Sequence, residues 1–91
     1  MAPIELRQAK GLEKYFGLMF RSPNTSALLF EFEKETDLPI HSYFVFFPFT
    51  IIWYDKEGNI IEKRVVMPWQ RDIKPSKPFK SFIEIPQPKD I

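Results

Sequence analysis

Few side chains here could do chemistry: one histidine (His41), twelve carboxylates, thirteen Lys or Arg, and no cysteine. A zinc site ordinarily gathers several His, Cys or carboxylate ligands, which a lone histidine does not supply. Glu31, Glu33, Glu35 and Asp37 offer oxygens to a hard cation. The glutamate spacing of two puts those three on one side of an extended strand, which fits a solvated edge better than a cage. No metal and no cofactor are expected. A nucleophile is also missing, since there is no Gly-x-Ser-x-Gly turn and no thiol. His41 and Ser42 are neighbours, but adjacent strand residues face opposite ways and make no dyad. Asp55 and Glu57 belong to a turn, where no pocket would shift a pKa. Gly11, Gly17 and Gly58 are too scattered to cradle a phosphate. The sequence therefore predicts no enzyme.

Binding is the chemistry left. Trp69 and Arg71, followed by Lys74, Lys77 and Lys80, combine a flat ring with cations. Single-stranded nucleic-acid binders use that combination, but no RNP-type motif accompanies it. The alternative is that Trp69, beside Pro68, plugs one end of the fold. Net charge is +1, so bulk electrostatics select no partner. The charge is uneven: residues 1–30 sum to +2, 31–62 to −5 and 63–91 to +4, which together return +1. The basic last third is a weak pointer to an anionic partner and otherwise a solvated loop.

The elements that must position these groups are mostly strands. Ninety-one residues make one domain over 1–91, with a modest core built from fifteen aromatics, ten of them Phe. The densest apolar run is residues 40–54, broken at Pro48. Residues 43–47 and 50–54 are aromatic or β-branched and predict strand, apolar on both faces. Asp55-Lys56-Glu57-Gly58 is a type I turn closed by a glycine able to take positive φ, and residues 59–67 form the return strand. Residues 27–32 alternate as another strand and 33–39 form an acidic connector. The proline-punctuated stretch 68–78 is a loop, and residues 79–85 are the last strand. Residues 1–10 read either as a helix opening at Pro3 or as a short edge strand around residues 4–7. Leu12, Tyr15, Phe16 and Met19 fall at helical spacing, predicting one short helix over 10–16 capped by Gly17. No stretch approaches the roughly 20 apolar residues of a membrane span, and no signal peptide is visible. With no cysteine, a reducing cytoplasm is the expected compartment.

Several of these stretches resemble a known family. Gly17-Leu18-Met19-Phe20-Arg21 looks like the "GLMFR" signature of the domain-of-unknown-function 192 family of bacteria and archaea. Leu29-Phe30, Ile40-His41, Phe47-Pro48 and Ile51-Ile52-Trp53-Tyr54-Asp55 resemble its strand and long-hairpin segments, the last in their archaeal form. Val66, Pro68-Trp69 and Ile83-Glu84-Ile85-Pro86 are similar to its "V-x-PW" and "LELP" segments. The resemblance covers about residues 10–86. It implies a small antiparallel β-barrel or sandwich with one short N-terminal helix, and no established activity. Thr50 stands where the family commonly has Asp, so no role for that carboxylate carries over. Gln87-Pro88-Lys89 departs from the small residue that often follows the closing strand, and the N-terminal portion is short for the family.

The motif arginine, Arg21, adds a further candidate. Its planar fork could hold an anionic ligand, or bond turn carbonyls. The resulting expectation is a small binding or interaction module without catalysis, its ligand site at a barrel rim formed by Arg21, His41, Trp69 and Arg71. Its partner would be an unidentified ligand or protein, with no membrane involved. Single-stranded nucleic acid, through Trp69 and the basic last third, is the second reading, and an enzyme of unknown reaction the third.

Overall fold

In the computed structural model, residues 6–8 and 26–86 are described. The helix expected over residues 10–16, its Gly17 cap and Arg21 lie outside them. The hairpin forms as its turn chemistry dictates. β3 (Phe49–Tyr54) and β4 (Ile60–Val66) pair antiparallel from Phe49↔Val66 to Tyr54↔Ile60. The Gly58 N–H donates to the Asp55 carbonyl at 3.1 Å, and Gly58 sits at φ +85°. Asp55 Oδ1 accepts from the Glu57 and Asn59 N–H groups, both at 2.9 Å. The backbone hydrogen bond from Asn59 leads the contacts that hold the Asp55 carboxyl below its usual range. A register shift between Trp53 and Tyr54 marks a bulge, which strengthens local twist. A Cβ at Gly58 would meet nothing within 4 Å, so Gly58→Ala tests backbone strain alone. It should cost about 1 kcal/mol in urea unfolding, and Gly58→Asn less, because Asn tolerates the left-handed region.

Strand order is β1-β2-β5-β3-β4, where β1 is Leu6–Gln8, β2 is Ala27–Thr36 and β5 is Phe79–Pro86. β5, last in the chain, is thus the centre of the sheet, antiparallel to both β2 and β3. β1 pairs parallel with β2, so the hairpin topology expected from sequence does not extend to it. β2 runs to Thr36, through a register shift after Glu31, and absorbs part of the expected acidic connector.

The sheet is mostly β in the sense expected but is open, not a closed barrel. β1 and β4 end the order without a common partner. The reason lies partly in β4, whose centre is Glu62-Lys63-Arg64: charges along an edge oppose further strand pairing. Nor is there a second sheet among the described residues. Instead, the loops 37–48 and 67–78 are tied to each other by an Ile40↔Ile73 bridge and packed on the sheet. Val45, Phe47 and Ile73 join Leu28, Phe30, Ile51, Trp53, Val66 and Phe82 in one buried cluster. Burying each large apolar side chain is worth roughly 1.5–3 kcal/mol, so this cluster is a major stabilising contribution. Partners across antiparallel strands share a face. The register therefore lays Leu28, Glu84, Ile51 and Arg64 in one row, and Phe30, Phe82, Trp53 and Glu62 in the next. Phe30 and Phe82 stack at 4.6 Å. No helix among the described residues is long and apolar enough to cross a membrane.

Candidate aromatic binding site

Residues 43–47, read from periodicity as strand, are irregular: β3 begins only at Phe49. Ser42 explains why. Its side chain is fully buried and wires two turns together. In the first, the Val45 N–H donates to the Ser42 carbonyl at 3.2 Å, and Phe44 takes φ 61°. In the second, residues 67–70, Pro68 holds the position a proline favours and Trp69 the next, at φ 65°. That turn is bridged by Ser42 Oγ, which accepts from the Gln70 N–H at 2.7 Å and donates to the Met67 carbonyl at 2.7 Å. The Trp69 N–H donates to the Ser42 carbonyl at 2.9 Å, and the Ser42 N–H to the Gln70 carbonyl at 2.8 Å. The Gln70 side chain closes the turn by accepting from the Met67 N–H at 3.1 Å.

Two bulky aromatics thus occupy left-handed backbone positions that glycine normally fills, each costing on the order of 1–2 kcal/mol. The result is an exposed aromatic group held in place from below. Trp69 is 51% exposed and Phe46 62%. Phe44 packs 4.8 Å from Trp69, Phe46 at 6.0 Å and Tyr43 at 6.2 Å, all steeply tilted to it. His41 stacks on Tyr43 at 5.0 Å, its Nδ1 accepting from the Tyr43 N–H at 3.2 Å. Met67 and Val65, at alternate positions along the chain, are also exposed. Residues 42–49 and 65–70 contain no Asp, Glu, Lys or Arg.

Of the four site residues read from sequence, His41 and Trp69 are brought together through Tyr43. Arg71 follows two residues later, exposed, with its Nε 3.9 Å from Asp72, a solvent pair of little energetic weight. Arg21 is outside the described residues. Lys77 is elsewhere: it lines a groove with Glu35, Asp55 and Glu57 at the turn end of the hairpin, opposite the aromatic end. Tyr43, Phe44 and Phe46 escaped sequence reading because β propensity places them in a packed strand. Ser42 had no readable signal at all. Among the described residues no three His, Asp or Glu side chains gather as metal ligands.

Among the described residues the arrangement offers aromatic rings, the His41 imidazole and, two residues beyond Trp69, the exposed Arg71. Comparison with known proteins adds the family: the DUF192 model, described as an uncharacterized ACR, matches residues 3–89. The chain belongs to the DUF192 family. A curated relative, a UPF0127 protein of Pyrococcus abyssi, is 32% identical over 77 residues, covering 82% of this chain and 64% of the relative. The fold matches the crystal structure of a protein of unknown function from Novosphingobium aromaticivorans, with TM-score 0.80 at 17% identity. That match covers 91% of this chain and 63% of the other. This DUF192 chain therefore spans just under two thirds of each, and neither brings a known activity.

Proposed function

We propose that this DUF192 protein is a small non-catalytic binding module of the cytoplasm whose site is the aromatic group formed by His41, Tyr43, Phe44, Phe46 and Trp69, with Arg71 at its edge. The supporting observation is the pair of left-handed aromatics. Strain of this kind persists only where surrounding structure enforces it, and it concentrates at functional sites. Ser42 enforces it here, and the rings it holds out are left in solvent. Aromatic anchors on a rigid support are the residues that carry binding energy at interfaces.

An amide chemical-shift titration tests this, with a short mixed-sequence RNA and a pool of anionic metabolites as separate titrants at low and moderate salt. Shifts should cluster at residues 41–46 and 69–71, and Trp69→Ala should weaken any such binding at least tenfold while the other amide positions stay put. Binding that survives Trp69→Ala in a folded protein would remove the site. Silence toward both titrants would direct the search to a protein partner captured by the same surface.

Single-stranded nucleic acid is the second reading, favoured by ring faces next to Arg71. With Lys77 at the far end of the hairpin among carboxylates, few phosphate contacts are within reach of the rings. Any RNA binding should then show a shallow salt dependence, a slope of magnitude about 1–2 on logarithmic axes. A steep slope would mean that the basic last third acts as one surface.

A further inference from the structure

Glu84 sits on the central strand, with Leu28 opposite it on one side and Ile51 on the other, both wholly buried. Its own exposure is 6%, and its Oε1 has no hydrogen-bond partner. The neighbouring strands offer it no charge. On this face β2 presents Leu28, Phe30 and Phe32, and β3 presents Phe49, Ile51 and Trp53. The loops contribute Val45, Phe47 and Ile73 to the same cluster. The charged residues at register positions on this face are Arg7 of β1, on the far side of β2, and Arg64 and Glu62 of β4, on the far side of β3. Arg64 is committed there: it is hydrogen-bonded to Glu62, donates to the Lys74 carbonyl at 3.1 Å, and lies over the Trp53 ring at 5.2 Å. The titratable groups of the covering loops, Asp37, His41, Tyr43, Arg71, Asp72, Lys74 and Lys77, are half-buried or exposed and outside the cluster.

A carboxylate in such a place would be a buried, uncompensated charge, which proteins avoid by keeping the group neutral. We propose that Glu84 makes the fold proton-linked: the folded chain holds one proton in the middle of its sheet, and raising the pH through the neutral range loosens the whole structure. Burial alone pushes the Glu84 carboxyl up to about 8 from its ordinary 4.5. The sign follows from linkage. Below about pH 4.5 both folded and unfolded chains hold the proton and stability is full. Between 4.5 and 8 only the folded chain holds it, and stability falls; above 8 the loss is complete.

The test is urea unfolding of the full chain at pH 5, 6, 7 and 8, for wild type, Glu84→Gln and Glu84→Met. Relative to both variants, the wild-type unfolding constant should rise roughly tenfold per pH unit up to pH 8. A measurement that needs no variant to fold is carbon-13 NMR of the glutamate carboxyls. One resonance should stay at its neutral position through pH 6–7. Parallel pH dependence in wild type and variants, or every glutamate titrating near its ordinary value, would overturn the proposal.

Discussion

Trp53→Ala should cost this protein about 3–5 kcal/mol, the usual toll for emptying a large buried aromatic site. Trp53 heads the largest fully buried side chains and lies beside Phe82 and Glu62 across the sheet. It also supports Arg64, whose guanidinium rests over its ring while reaching the Lys74 carbonyl. Removing the indole therefore hollows the core and frees the link between β4 and the covering loop together. A 91-residue domain has a total stability on the order of 5–14 kcal/mol, so this one change consumes a large part of it. The check is urea unfolding followed by far-UV circular dichroism, where the midpoint should fall by roughly 2–4 M. Trp53→Phe should cost less than half as much, because Trp53 Nε1 has no partner to lose. A Phe variant as damaged as the Ala variant would show that the indole N–H is paired in solution.

Ser42→Ala should dismantle the aromatic site while leaving the sheet folded. The hydroxyl is the bridge of the 67–70 turn, and its loss strands the Gln70 N–H and the Met67 carbonyl. Leaving buried polar groups unmatched costs about 1–3 kcal/mol, comparable with the strain the bridge restrains at Trp69. The turn should then relax, with Trp69 leaving its left-handed conformation and its contacts with Phe44 and Phe46. Amide spectra would report this as large shifts confined to residues 41–46 and 67–73, with the β2–β5–β3 signals unmoved. Any ligand found at the aromatic group should bind Ser42→Ala about as poorly as Trp69→Ala. Spectra that remain wild-type around Trp69 would mean that the two turns hold their shape without the serine.

The aromatic site also carries a lesson about where sequence reading stops. His41, Trp69 and Arg71 stand out because they are chemically distinctive, and two of them do end up in one cluster. Tyr43, Phe44 and Phe46 are chemically just as able, yet a run of aromatics before a proline looks like core. What turns them outward is a hydrogen-bond network centred on a serine 25 to 28 residues away in sequence from its partners. Glu84 shows the converse. In sequence it is a polar residue alternating with apolar ones, as a solvated face would be, and only a neighbour on each side makes it buried.

What the chain determines by itself is local. Alternation and β-branched content place β3, β4 and β5 close to their observed limits and find the start of β2 but not its end at Thr36, because side-chain period follows from backbone geometry. Asp55 and Gly58 fix the hairpin, since an Asx contact and a positive φ need those residue types. The tertiary structure alone decides that β5 enters between β2 and β3, that the sheet stays open, and that residues 43–47 leave strand conformation. Each of these depends on pairings between residues far apart in the chain, and the competing arrangements satisfy local propensity equally well. Packing and buried hydrogen bonds, not periodicity, choose among them.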